Sequence, residues 1–373
     1  MDADIGERVR SCIAELEPPR SHRAIAQSIR MTPDAFSRSL NGARSFSSIE
    51  IARLADELGQ DVHWLITGQP DPMRPRLAAR HFYDPDTRSH EVPDREQDEA
   101  VLLDIALAYR QAYPHDTGSS RWKQPTTVEE IRDRLQPNFV RPFIERVEQN
   151  LGIDVVRLKE ISHSYTLTIG SHTVIVIPAS GSWFYENWSI AHELGHVAAQ
   201  DMDTDLPTTK RREHETRANA FAAELLLPIH DVKPVAWSTV TKEQLAQFLW
   251  DHGVSMIALQ NRLAALRIRM PELITRWAAA GTFHLLRLAG ENLDGKGTPS
   301  GHLVAERRRG ASERRFPIGL QEAHMKRIAH GQLGNETLAW MLGVDVDRLD
   351  TEIDAPPEPA TVDAGHLAEM LGF

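Results

Sequence analysis

The sequence predicts a mainly α-helical protein with a small β-sheet, which is an α+β fold class. Apolar residues recur at helical spacing over residues 1–70 and again from residue 98 onward. Within the second of these regions the pattern changes to β-branched runs at 154–158, 164–169 and 172–177. The last two runs are separated by Gly170-Ser171, which predicts a β-hairpin.

The chain of 373 residues is long enough for two or three domains. Residues 70–96 are rich in Pro, Asp and Arg and lack apolar periodicity, which predicts a linker with at most one strand. We therefore expect an all-α domain over 1–72, a linker over 73–97, a second domain over 98–270 and a C-terminal helical region over 271–373. Within that last region, the Gly-, Pro- and Arg-rich stretch 293–315 predicts a loop with solvated arginines, and the function of the region is open.

Composition limits the function classes. The chain carries 53 acidic and 42 basic side chains, a net charge of -11, so contact with nucleic acid would need a local basic face. No apolar run approaches the roughly 20 residues that span a bilayer, and the polar N-terminus does not resemble a secretory signal. Cys12 is the one cysteine and cannot form an internal disulfide. We expect a cytoplasmic protein with no membrane partner.

Residues 21–68 read as short helices joined by tight turns. Ser21 is a good N-cap for a first helix. Thr32 and Pro33 suit the N-cap and first helical position of a second helix, which Asn41-Gly42 ends. The spacing predicts a helix-turn-helix.

The head of the second helix, Ser37-Arg38 within it and Asn41-Gly42-x-Arg44 at its end resemble the Cro/cI-like (XRE) helix-turn-helix family over most of residues 5–68. In such folds the second helix lies in the major groove of double-stranded DNA. The resemblance implies base-facing and phosphate-facing positions, which are Thr32, Asp34, Ser37 and Arg38 for bases and His22, Asn41 and Arg44 for phosphates. The sequence departs from the family at His22, where Gln is usual, and at Leu40, which is often acidic. The alternative is a helical bundle that binds a protein.

The segment HELGH at residues 192–196 carries the strongest chemical signal. Residues four apart share a helix face, so His192 and His196 can present two imidazoles to one ion. Glu193 then lies beside the ion and can accept a proton from a water molecule, whose pKa zinc would lower towards neutrality. The pattern predicts a zinc hydrolase site that needs one more protein ligand.

The third ligand is predicted from ETRANAFAAELLLP, which begins at Glu215. Glu215 and Asn219 lie four apart on one face of a predicted helix. A carboxylate from this second helix completes a His₂Glu site, and Asn219 can hydrogen-bond a ligand histidine. The alternative, a charge favoured by the helix dipole, accounts for Glu213 but not for Asn219. Zn²⁺ suits this donor set better than Mn²⁺.

The segments IAHELGHV and ETRANAFAAELLLP resemble the ImmA/IrrE metallopeptidase family, over roughly residues 98–268. The resemblance implies a zincin-like zinc endopeptidase with thermolysin-like site logic that acts on helix-turn-helix repressors in stress or mobile-element circuits. By motif position it implies ligands at His192, His196 and Glu215 and a general base at Glu193. It does not identify a transition-state partner. The candidates are Tyr185, Arg211, His214 and His230, and the alternative interpretation of each, as an ordinary surface residue, is the favoured one.

Two positions are open for the strand at 172–177. It can form the sheet edge beside the cleft, where a substrate adds as a further strand, or it can be an internal core strand.

Three functions remain open. The first is an active zinc endopeptidase tethered to a DNA-binding module, serving transcriptional control by cleaving a repressor or its own linker. The second is a DNA-binding regulator whose peptidase-like domain senses or dimerises without turnover. The third makes the N-terminal module a clamp for protein substrates. The intact Glu193 favours the first, and a homodimer is compatible with each.

Overall fold

The computed structural model describes residues 4–16, 18–69, 76–78, 95–116, 125–200, 208–290 and 301–349. The chain divides into two compact units, Met1–Arg74 and Pro75–Phe373. The predicted fold class, mainly helical with a small sheet, is confirmed.

The first unit is helical in its described residues. Its helices are α1 (Ile5–Ala14), α2 (His22–Ser28), α3 (Pro33–Leu40), α4 (Ser48–Leu58) and α5 (Val62–Thr67). The predicted caps are confirmed, because Ser21 accepts from the amide of Ala24 and Thr32 from that of Ala35. Apolar side chains from all of these helices form a core, with Val9, Ile25, Phe36, Leu54 and Leu65 fully buried or nearly so.

The second unit surrounds one sheet. Its helices are α6 (Arg95–Ala112), α7 (Val128–Leu135), α8 (Phe143–Leu151), α9 (Trp183–Ala199), α10 (Thr208–Leu226), α11 (Ile229–Val232), α12 (Lys242–His252), α13 (Met256–Ala265), α14 (Glu272–Ala280), α15 (Thr282–Gly290), α16 (Gly301–Gly310), α17 (Ile318–Ala329) and α18 (Glu336–Leu342), followed by a short 3-10 helix at Val346–Arg348. Its strands are β1 (Arg76–Ala78), β2 (Ile153–Leu158), β3 (Tyr165–Ile169) and β4 (His172–Pro178).

Among the described residues the four strands form one mixed sheet in the order β1-β3-β4-β2. The predicted hairpin is confirmed: β3 and β4 pair antiparallel, with Ile169 opposite His172. Gly170 in the turn has a φ of 58°, a left-handed conformation that glycine adopts without strain. β4 also pairs parallel with β2. The hypothesis that β4 forms the sheet edge is therefore wrong, because β4 has a hydrogen-bonded neighbour on each side.

Both faces of the sheet are covered, which explains the unbroken apolar run in β4. One face packs with α9 in the larger core and contributes Ile153, Val155, Ile175 and Ile177. The other face packs with α6, α17 and α18 and contributes Val156, Leu158, Tyr165, Leu167, Ile169, Val174 and Val176.

Helices that follow residue 270 belong to these same two cores. Ile274, Trp277 and Leu285 pack with α9, while Phe316 and Leu338 pack on the opposite face of the sheet. The boundary predicted at residue 270 therefore falls inside the packed second unit.

The prediction of a loop over 293–315 is wrong for α16. The guanidinium carbon of Arg307 lies 5.1 Å from the ring centre of Trp183 and 5.0 Å from that of Trp250. A guanidinium over aromatic rings stabilises packing. Because arginine is not an apolar residue, this stabilisation does not appear in the apolar pattern of the sequence. Arg315 is not solvated either, since it binds Glu148 through two contacts of 2.6 Å.

The predicted linker over 73–97 contains β1 and the start of α6, and its residues 79–94 lie outside the described part of the chain. In the described residues, no helix combines the length and the apolar character that a bilayer span requires.

Candidate active site

Helix α9 carries the HELGH segment through the centre of the second unit. Ser182 caps its first turn by accepting from the amide of Tyr185, and Gln200 ends it in a left-handed conformation with a φ of 53°. Most of its side chains are buried, as expected for a helix with apolar residues around its whole circumference. The polar residues of the motif are therefore held inside the protein on a rigid element.

Three side chains on α9 and α10 converge. The Nε2 atoms of His192 and His196 lie 3.2 Å apart. The carboxylate oxygens of Glu215 lie 3.2 Å from Nε2 of His192 and 3.5 Å from Nε2 of His196. A tetrahedral ion bound at about 2.0–2.1 Å would separate its ligand atoms by roughly 3.3–3.4 Å. The spacing of these donors therefore fits one zinc-sized ion.

Charge at Glu215 favours the same interpretation. Burial raises the pKa of this carboxyl, but hydrogen bonds and charges from His192 and His196 outweigh burial and hold the pKa well below its usual range. Glu215 is thus ionised, which is the form that a metal ligand requires. Glu213, which the helix dipole alone explains, is exposed two residues earlier on the same helix.

Glu193 points to the sheet. Its Oε2 accepts a hydrogen bond of 2.7 Å from the hydroxyl of Thr166 on β3. Its Oε1 is buried and has no hydrogen-bond partner among the described residues. A buried carboxylate oxygen without a donor is costly, and a water molecule at an ion held by the neighbouring histidines would satisfy it.

Asn219 lies where the sequence predicts it. Its side-chain oxygen is 3.2 Å from Nδ1 of His192, one helical turn beyond Glu215. This contact fixes the His192 ring so that Nε2 faces the other donors.

Two residues of the site were not predicted. Gly195 allows α9 and α10 to approach: a Cβ there would lie 3.0 Å from Cα of Ala218 and 3.1 Å from Cβ of Phe221. Thr166 supplies the donor to Glu193. The available signal for Thr166 is the alternation in β3, where threonines at 166 and 168 alternate with the buried Tyr165, Leu167 and Ile169.

The comparison with known families concerns this part of the second unit. Residues 148–264 match the family model of peptidase M78, the IrrE N-terminal-like domain. Searches among curated proteins and among solved structures gave no match.

The matched IrrE N-terminal-like domain begins in α8 and ends in α13. It contains β2, β3 and β4 together with the helices that carry His192, His196 and Glu215. The match supports a metallopeptidase of the ImmA/IrrE type for this segment, and it does not extend to residues 1–74.

The transition-state candidates are placed as follows. Tyr185 is exposed on α9, and His214 is half-buried beside Glu215. His230 lines a cavity of about 950 Å³ whose described lining includes none of the three ligand candidates. The side chain of Arg211 lies outside the described residues.

The positions implied for DNA contact are mostly exposed on the first unit. Those with exposed side chains are His22, Thr32, Asp34, Ser37, Arg38 and Asn41. Asp34, Ser37, Arg38 and Asn41 are three or four residues apart, which places them on one face of α3.

Arg44 differs from these positions. Its two terminal nitrogens bind the carboxylate of Glu50 at 2.8 and 2.9 Å, and one also binds the hydroxyl of Ser39. The hydrogen bond from Arg44 lowers the pKa of Glu50 to about 2. The structure places this guanidinium in a pair that stabilises the turn between α3 and α4, so the phosphate contact implied by sequence would have to break that pair.

Proposed function

We propose that the second unit is a zinc-dependent endopeptidase with His192, His196 and Glu215 as metal ligands. The observation that carries the proposal is the set of three donors spaced by 3.2–3.5 Å beside a buried carboxylate with a free oxygen. The match to the IrrE N-terminal-like domain supports it. A structural zinc site would close all four positions with protein ligands, whereas among the described residues three donors converge and Glu193 adjoins them.

Each residue has a separate task in peptide hydrolysis. A bound zinc ion would polarise the scissile carbonyl and make water acidic enough to ionise at neutral pH. Glu193 takes the proton from the attacking water through Oε1 and delivers it to the leaving nitrogen. Thr166 keeps Oε2 of Glu193 in place during both transfers. Asn219 keeps the His192 ring in the orientation that its partners require.

The same proposal includes the first unit as a reader of double-stranded DNA. Its support is the exposed row of polar residues on α3 and the resemblance of residues 5–68 to Cro/cI-like proteins. In this function the peptidase controls transcription in a stress or mobile-element circuit, by cutting a helix-turn-helix repressor or its own chain. Dimerisation would place two such readers on one operator.

Zinc content and hydrolysis test the peptidase. The full chain and its variants are assayed for bound zinc and then incubated with a proteome-derived peptide library, with products identified by mass. His192→Ala and Glu215→Gln are expected to lose most zinc, while Glu193→Gln keeps zinc and loses cleavage. Glu213→Gln is the matched control and keeps both. Cleavage by Glu193→Gln at the wild-type rate would refute the assignment of the general base.

Binding to a pool of random double-stranded sequences tests the DNA reader. The full chain is expected to enrich one sequence class, and Arg38→Ala to weaken that binding by about 1–3 kcal/mol. No enrichment by the full chain would refute operator recognition and leave the zinc results unaffected.

A further inference from the structure

Strand β1 lies beside the part of the sheet that contacts the candidate general base. β1 pairs antiparallel with β3, with Arg76 opposite Thr168 and Ala78 opposite Thr166. Thr166 is the residue whose hydroxyl donates to Glu193. One strand therefore separates the backbone of Ala78 from the glutamate that would activate water.

The position of β1 beside β3 is where an extended substrate would be expected to bind. Without β1, the outer side of β3 would be a sheet edge with unpaired N–H and C=O groups. Extended peptides bind such edges as an added strand, through main-chain hydrogen bonds. The edge can pair with one strand at a time, so β1 and an added peptide exclude each other.

We propose that Arg76–Ala78 is a resident substrate mimic, which holds the substrate edge of the site until a substrate segment displaces it. The inference rests on the proposed peptidase function. It implies that substrates are extended segments that pair antiparallel with Tyr165–Ile169. Ala78 is the residue of the resident strand that pairs with Thr166, the partner of Glu193, and it follows the first unit, which ends at Arg74, by only a few residues.

The length of β1 suits such an exchange. The three described residues of β1 form few ladder bonds, so the strand competes mainly because it is tethered. A tethered segment acts at an effective concentration in the millimolar range. β1 therefore competes successfully with peptides that bind β3 weakly, whereas a segment that forms a longer complementary strand can displace it.

Peptide binding to a variant that cannot hydrolyse tests the proposal. The probe is a fluorescent peptide with the sequence of residues 72–82. It is titrated, by fluorescence polarisation, into the full chain carrying Glu193→Gln and into the same chain with Leu77→Pro and Ala78→Pro added. Proline lacks the N–H that a ladder needs. We expect the proline variant to bind the probe at least about tenfold more tightly, because the tethered competitor is gone. A probe with the same two prolines is expected to bind neither protein.

Hydrogen exchange supplies a second measurement on the same proteins. The amides of β3 are expected to lose protection in the proline variant and to regain it with the probe, while those of β2 stay unchanged and confirm that the sheet is folded. Equal probe affinity in both proteins, or equal protection of β3, would overturn the proposal. Both measurements are independent of turnover. Absence of cleavage both by the wild-type chain and by a chain that carries Leu77→Pro and Ala78→Pro with Glu193 intact would refute the peptidase and leave the exchange between β1 and peptide as a separate result.

Discussion

Thr166 joins the sheet to the candidate general base. Its hydroxyl is 2.7 Å from Oε2 of Glu193, and both residues are buried. Without this donor, neither oxygen of the carboxylate would have a hydrogen-bond partner among the described residues.

We therefore expect Thr166→Val, which keeps the shape and removes the hydroxyl, to destabilise the folded chain by about 1–3 kcal/mol. Cleavage of a peptide substrate should fall about tenfold or more, because Glu193 loses its orientation, while zinc content stays near one ion per chain. Thr168→Val, two residues along the same strand, is the control and should change neither value. A loss of zinc in Thr166→Val would instead assign Thr166 to the metal site.

Gly195 sets the distance between the two helices that carry the ligands. A methyl group there would meet the backbone of Ala218 at 3.0 Å, which is tighter than ordinary contact. Because Glu215 is one turn from Ala218 on α10, a shift of that helix moves a ligand.

Gly195→Ala is thus expected to destabilise the chain by about 1–3 kcal/mol through overpacking and to weaken zinc affinity. Gly319→Ala is the matched control, since a Cβ at that helical glycine meets nothing within 4 Å; it should be neutral or slightly stabilising. The measurements are urea unfolding and competition for zinc with a chelator of known affinity. Unchanged zinc affinity in Gly195→Ala would show that the helices can move without moving Glu215.

The difference between the ligands and these two residues shows what sequence can predict at this scale. His192 and His196 are related by helical spacing, which is visible in any sequence, and Glu215 and Asn219 are related in the same way. Thr166 and Gly195 matter because of which strand and which helix lie against α9. That information is tertiary, and only the alternation in β3 hints at it.

For individual helices, capping residues in the sequence predicted the helix ends correctly, but the arginines of α16 were wrongly predicted to lie in a solvated loop. The caps at Ser21 and Thr32 each depend on one side chain and one nearby amide, so they can be predicted from the sequence. Helix α16 places Arg307 against both Trp183 and Trp250, which are distant in the chain. A run of arginines resembles a solvated loop unless those aromatic partners are known.

The turn between α3 and α4 contains a pair whose strength depends on pH. Arg44 lowers the pKa of Glu50 from 4.5 to about 2. A lowered folded-state pKa means that the stabilisation is complete above about pH 4.5 and is lost as the pH falls through the folded pKa.

Hydrogen exchange of the α4 amides in the full chain, corrected for intrinsic rates, measures this effect. Arg44→Ala should reduce protection of α4 at pH 6, and its difference from wild type should shrink as the pH approaches 2. Arg38→Ala, an exposed arginine on the preceding helix, should show no such trend. A constant difference for Arg44→Ala across this range would mean that Arg44 acts through Ser39 or through packing rather than through the Glu50 charge.

At the scale of the molecule, the metal ligands belong to one compact unit. His192, His196 and Glu215 all lie in Pro75–Phe373. An ion that binds only the folded state stabilises it by about 2.7 kcal/mol at a hundredfold excess over the dissociation constant.

Zinc should therefore raise the unfolding temperature of the second unit and leave that of the first unchanged. Segment-resolved hydrogen exchange on heating, with peptides from α3 and from α9, separates the two units in the intact chain. Glu215→Gln should abolish most of the shift and Glu213→Gln should keep it. An equal shift in α3 peptides would show that the two units unfold together.

The two edges of the sheet have a consequence for solubility. On the β2 side, Arg157 and Arg315 exchange two backbone hydrogen bonds of 2.9 Å, and on the other side β1 covers β3. Exposed strand edges recruit strands from other molecules and start aggregation. A chain whose β1 has been displaced or cut therefore exposes the edge of β3 to strands of other molecules, unless a substrate covers that edge. The same short strand that keeps substrates out also protects the folded chain from association with its own copies, and variants that release it should precipitate at concentrations where the intact chain stays dispersed.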